Sequence, residues 1–307
     1  MNFNNTKLNN NIFNKNLFDL QNIYNKMIYI SKQIEADKDM PEMLNMVERY
    51  EINYLNNIVS KFKIFNSDDL DTIIWFYCFL YPNDSMNWLD VSEIDDMSYL
   101  FNDTTYNGDI SKWDVSNVTN MTWMFANASF NNDISGWDVS NVVNMYGTFI
   151  CSKFNGDISK WDVSSVVYME NMFDGSEFNQ DISGWDVSRV QDMSWMFNRS
   201  AFNRDISCWN VSEANDMSCM FEDSAFNGDI SQWDVSNVTN MSFMFAKSKF
   251  NGDISGWDVS NVKSMDAMFK DSVFNQDISE WDISNVNSMT LMFDNCPIKK
   301  IYKPKKI

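Results

Sequence analysis

The chain has 307 residues, 44% of them apolar, with 43 acidic and 23 basic side chains, a net charge of −20 and no histidine. Such a charge argues against sequence-independent nucleic-acid binding, which needs a basic face to displace counterions. The lack of imidazole removes His-based proton transfer, any Ser-His-Asp triad and every zinc site that needs a His ligand.

The first fifteen residues are dominated by Asn and read as disordered. Residues 16–86 read as an α-helical capping region. Leu17, Leu20, Ile23, Tyr24, Met27, Ile28 and Ile30 recur at helical intervals over Asn16 to Ala36. Pro41 opens a second helix to about Phe62, because proline suits a first turn. Ser67, Asp68 and Asp69 resemble an N-cap and acidic first turn for a third helix, Leu70 to Tyr81. The longest apolar run, Ile73 to Tyr81, has nine residues, about half of what a membrane helix needs. The opening MNFNNTKLNN has no signal-peptide pattern, so the default location is the cytoplasm.

Residues 87–296 are a tandem array. Trp113, Trp137, Trp161, Trp185, Trp209, Trp233, Trp257 and Trp281 stand 24 residues apart without insertion or deletion. One unit reads W-D-V-S-x-V-x-x-M-x-x-M-F-x-x-S-x-F-N-x-D-I-S-x. A degenerate unit precedes the series at Leu89, and the last one decays after Cys296. Ile110, Trp113 and Val115 have the spacing L-x-x-L-x-L, and Trp113 and Val115 share one face of an extended strand. Met121, Met124 and Phe125 fit the inner face of a helical turn. An isolated unit cannot bury these side chains, so the units stack. The expected fold is an α/β repeat solenoid with one short parallel strand and one helical turn per unit.

The block FNGDISKWDVSNVTNM followed by TWMF or SFMF resembles the BspA-like leucine-rich-repeat surface proteins and the related repeat of mycoplasma lipoproteins. The resemblance covers Leu89 to about Cys296. It implies a leucine-rich-repeat-like fold, a non-enzymatic binding role, often in adhesion, and a place at the cell surface. The chain departs from secreted members in lacking a signal peptide and a lipid-attachment cysteine near its start.

Aspartates form two columns, one through Asp109 and Asp133, the other through Asp114 and Asp138, broken by Asn210. Stacked carboxylates repel, so something must compensate. One reading is an Asx turn, each Asp accepting from the N–H two residues on. A second is structural calcium between neighbouring carboxylates such as Asp109, Asp114, Asp133 and Asp138, and a third is diffuse screening by counterions. No other cofactor is expected. The five cysteines are odd in number, do not follow the repeat and form no CxxC, as expected of reduced thiols.

Three columns vary while the frame stays constant. They run through Lys112 and Lys160, through Asn117 and Arg189, and through Trp123, Trp195 and Phe243. Such positions either drift on a solvated face or encode partner choice. The binding candidates are Trp123, Trp195, Phe243, Lys112, Lys160 and Arg189, with the aromatics as anchors. The expected partner is a basic or neutral protein or cell-surface macromolecule, and the chain is expected to be a monomer or to self-associate weakly. Self-assembly through an incompletely capped end is the competing reading. The tail at residues 297–307 carries five lysines between Lys299 and Lys306. It reads as a solubilising end, a phosphate or localisation patch, or a segment folded back on the acidic array.

Overall fold

A computed structural model describes residues 62–63 and 66–305. The helices expected at 16–36 and 41–62 and the disordered start lie outside the described residues, apart from Phe62, which stands in a two-residue strand. The chain divides into two compact units, Met1–Phe62 and Lys63–Ile307, and the second contains the repeats.

Helix α1 spans Ser67–Leu80 and starts three residues before the expected position. Ser67 is its first residue, not its cap. The Asn66 carbonyl accepts the Leu70 N–H at 3.3 Å, and the Ser67 hydroxyl donates to the Asp96 carbonyl at 2.9 Å. Leu70, Ile74 and Cys78 are buried, which makes α1 the apolar cover of the first repeat.

The repeats form a solenoid. One parallel bridge links each turn to the next, running from Asp96 through Asn120, Asn144 and so on to Ser288. Two details differ from the expectation. The extended residue is the one before Met121, not the Trp113–Val115 segment, which runs as an irregular span between two turns. The helical turn at Met121–Phe125 is a run of β-turns. Met124 donates to Met121, Ala126 to Trp123 and Ala128 to Phe125, each an i→i−3 bond of 3.1–3.2 Å. The odd-numbered N–H groups between them point to the following turn: Met121 to Asn144, Trp123 to Tyr146, Phe125 to Thr148 and Asn127 to Ile150, at 2.8–2.9 Å. Helical spacing of apolar residues therefore arises here without a helix, because successive β-turns also return side chains inward every three or four residues.

Aromatic columns fill the core. Phe101, Phe125, Phe149 and Phe173 stack at 5.2–5.7 Å between centroids. Phe130 and Phe154 continue a second column at 6.2 Å, and Trp113, Trp137 and Trp161 a third at 6.4–6.5 Å. Offset stacking at these distances adds to the gain from burial. Each indole N–H reaches a carbonyl 27 residues back; Trp137 donates to Ile110 at 3.2 Å. Thr148 replaces a core Met, and its buried hydroxyl lies within hydrogen-bond distance of the Met121 and Met145 carbonyls, at 3.0 and 2.9 Å.

The tail folds back. The Tyr302 carbonyl accepts the Ile278 N–H at 3.0 Å, and Lys299 N–H donates to Asn275 Oδ1 at 3.1 Å. Lys305 pairs with Glu280 at 2.7 Å, and Ile298 and Pro304 are buried. A free solubilising end is thus excluded through Lys305, because the segment continues the ladder for half a turn.

Candidate binding face

The β-turn stretch sets a demanding backbone. Two residues of every turn have positive φ. One column runs Tyr99, Trp123, Gly147, Asn171, Trp195, Cys219, Phe243, Ala267 and Leu291; the other runs from Asp103 and Asn127 to Asn295. Glycine or Asn suits this left-handed region, and larger side chains are held there at a cost of about 1 kcal/mol each. Yet Tyr99, Trp123, Trp195, Phe243 and Leu291 occupy it at φ 56–62°. Four of these are exposed: Tyr99 57%, Trp195 39%, Phe243 40% and Leu291 54%. They contribute little to the core while straining the backbone.

Trp123 is half-buried. It stacks on Tyr99 at 6.1 Å and meets Tyr146 from the following turn at 6.1 Å, making a strip of three rings. Gly147 leaves room for the indole, since a Cβ there would lie 3.0 Å from Trp123 Nε1. Tyr168 and Val143, both exposed, occupy neighbouring columns. Sequence reasoning missed Tyr99 and Tyr146. Tyr99 was detectable, because it stands one repeat before Trp123. Tyr146 stands 23 residues after Trp123 and needed the turn-to-turn register.

Carboxylates flank the rings. Asp96, Asp192 and Asp216 stand in the bridge column, and each accepts the N–H two residues on at 2.8 Å. Glu170 occupies the column of Tyr146. Its Oε2 is buried without a hydrogen-bond partner among the described residues. Burial, with Asp192 and Asp216 nearby, pushes its carboxyl up to about 7. Farther along the turn, Arg199 clasps Asp174 with two bonds of 2.9 and 3.0 Å from Nη2. Burial pushes the Asp174 carboxyl up, and Arg199 pulls it back. Lys247 reaches Glu222 at 3.4 Å.

The remaining candidates lie elsewhere on the turn. Lys112 and Lys160 are exposed just before the Trp column, and Arg189 is exposed four residues after it. They form columns separate from the ring strip. The Arg189 column is not neutral to the frame. Asn117, Asn141, Asn237, Asn261 and Asn285 each donate from Nδ2 to a Ser carbonyl of the preceding turn at 2.6–2.8 Å.

The Asp columns form Asx turns. Asp109 and Asp133 accept Ser111 and Ser135 N–H at 2.9 Å, and Asp114 and Asp138 accept Ser116 and Ser140 N–H at 3.2 and 3.1 Å. These bonds hold Asp109 and Asp133 below the usual carboxylate range; for Asp138 the Ser140 hydroxyl, donating at 2.6 Å, does so ahead of the N–H. Among the described residues, no group of three or more His, Cys, Asp or Glu is placed to hold a metal ion. All five cysteines are unpaired, and burial pushes Cys78 and Cys219 up to about 12. No described helix is long and apolar enough to cross a membrane.

The model of the family described as "Mycoplasma protein of unknown function, DUF285" matches three overlapping stretches, residues 75–175, 130–225 and 198–301. No curated protein and no solved structure is significantly similar to the chain. The chain belongs to the DUF285 repeat family.

Proposed function

We propose that the protein is a non-enzymatic binding scaffold of the BspA-like kind, its 24-residue turn a leucine-rich-repeat variant in which aromatic and Met columns take the leucine positions. The array docks another protein or a cell-surface macromolecule on the face that carries Tyr99, Trp123, Tyr146, Trp195 and Phe243. One observation carries this reading: bulky side chains hold left-handed backbone positions while remaining exposed. Strain retained at the surface without a packing return is expected of a contact surface. Aromatic rings anchor interfaces, and carboxylates beside them favour Lys or Arg on the partner through cation–π and charge contacts.

The test exploits the strain. Replacing Trp195 and Phe243 by Gly removes both rings and relaxes both backbones. The double variant should melt no lower than the parent and should lose binding to matrix proteins or surface glycans that retain the parent. A lower melting temperature with binding intact would sink the reading. Protease treatment of intact cells supplies the location: cleavage supports adhesion, whereas protection turns the search to partners inside the cell. The competing structural reading predicts growth in size with concentration, and a strict monomer counts against it.

A further inference from the structure

The stack has a direction. In the β-turn stretch the odd N–H groups, such as Met121, Trp123, Phe125 and Asn127, point toward the C-terminal end, and the even carbonyls that accept them, such as Asn144 and Tyr146, point back. The last complete pairing runs from Met265, Ala267, Phe269 and Asp271 to the carbonyls of Ser288, Thr290, Met292 and Asp294, at 2.8–3.0 Å. The following N–H groups, those of Met289, Leu291, Phe293 and Asn295, meet no acceptor among the described residues. The folded-back tail covers the other side of this turn and leaves that row open. Val286, Met289 and Phe293 are partly exposed, whereas the equivalent residues of interior turns are buried.

The open row is a donor-only edge. An ordinary strand edge alternates donors and acceptors; over residues 289–295 this one offers N–H groups alone, with the Asn287 carbonyl, whose counterpart on Lys263 accepts the Asn287 and Ser288 N–H groups, as the acceptor beside them. Two such rows of donors cannot pair with each other. At the carbonyl end that a second copy would offer, the Asp96 carbonyl already accepts from the Ser67 hydroxyl of α1 at 2.9 Å. Positive charge gathers at the same place. Lys303 sets its ammonium 4.7 Å from the ring centroid of Phe293, the last ring of its column. The last turn and tail, residues 281–306, carry five lysines and two carboxylates, Asp282 and Asp294, although the chain as a whole carries −20.

We infer that the C-terminal end of the stack docks an extended acidic polypeptide segment. Ionised Asp and Glu side chains are acceptor-only groups, which matches a donor-only row, and rows of backbone N–H groups form anion-binding concavities. Lys303 and its neighbours Lys299 and Lys300 supply the complementary charge. This edge is distinct from the aromatic face and has the opposite charge preference.

The full chain is titrated with a fluorescent oligoglutamate peptide, with oligolysine as control, while the backbone amides are followed by NMR. The expected result is saturable oligoglutamate binding that shifts the amides of Met289, Leu291, Phe293 and Asn295. Lys303→Glu should weaken binding at least tenfold, and Lys249→Glu, away from the edge, should leave it unchanged. Met289→Pro, which deletes one unpaired N–H, should weaken it too; if that variant misfolds, Lys303→Glu still decides. Absent binding, equal loss in both Lys variants, or shifts elsewhere would overturn the proposal. So would protection of these amides by protein concentration alone, which would assign the edge to a second copy.

Discussion

The Trp123 indole occupies the space that a side chain at Gly147 would need. A Cβ at position 147 would lie 3.0 Å from Nε1 and 3.2 Å from Cδ1, on a backbone with φ +60°. The ring strip Tyr99–Trp123–Tyr146 therefore depends on a residue that touches no partner. Gly147→Ala should cost about 1–2 kcal/mol, from left-handed strain and the close approach. It should also displace the indole. Denaturant melts give the first quantity and tryptophan emission reports the second; a silent substitution would show that the strip is not seated on Gly147.

Glu170 makes stability depend on pH. Its folded value, about 7, lies above the ordinary 4.5. The folded state thus holds the proton more tightly than the unfolded chain. The contribution is complete below about pH 4.5 and is lost as pH rises through 7. Acidification from pH 8 to 5 should stabilise the protein by about 1–2 kcal/mol, allowing for partial exposure. Glu170→Gln should remove most of that slope and melt higher than the parent at pH 8. An unchanged slope would mean that the carboxyl finds a partner in solution.

The Asx-turn carboxylates work in the opposite direction. Asp133, Asp138 and Asp253 are held below 3.8, chiefly by bonds from the Ser two residues on. Their contribution is present above pH 4 and is lost as pH falls through their folded values. Together with Glu170, they place the stability maximum near pH 5. At a single site, Asp138→Asn should be nearly neutral, because Asn210 already makes the equivalent bond to Ser212 N–H at 3.2 Å. Asp138→Ala should cost up to about 1 kcal/mol. Equal effects of the two substitutions, measured by chemical denaturation, would refute the hydrogen-bond account.

Phe197 lies at the middle of the aromatic columns, 5.7 Å from Phe173, 5.8 Å from Phe221 and 4.2 Å from Phe202. Phe197→Ala should cost about 3–5 kcal/mol. In a one-dimensional array such a loss weakens the coupling between neighbouring turns. Thermal unfolding should then broaden or separate into two steps. A single sharp transition at the parent temperature would contradict this.

The repeat length, its register, the inward Trp, Met and Phe columns and the Asx pairing of Asp with Ser were all legible from residues 87–296. Each follows from a local pattern repeated without insertion, so copies of the unit reinforce the same inference. The conformation of the Met121–Phe125 segment was not legible. Inward residues at i, i+3 and i+4 fit a helix and a chain of β-turns equally well. The hydrogen bond from Trp123 N–H to Tyr146 of the next turn decides between them.

The same limit applied to the candidate face. Variation singled out Trp123, Trp195 and Phe243, but only the turn geometry shows that their column is left-handed, and that Tyr99 and Tyr146 flank Trp123. The Arg189 column looked free of the frame because an Nδ2 bond to a carbonyl in the preceding turn leaves no mark on spacing. By itself, the sequence determined that the chain stacks, with what period and around which side chains, since burying apolar residues every 24 positions permits little else. Tertiary structure decided which backbone groups pair between turns. That pairing creates the strained aromatic column, the half-buried Glu170 and the unpaired N–H row at the C-terminal end, because each depends on a neighbour one full turn away.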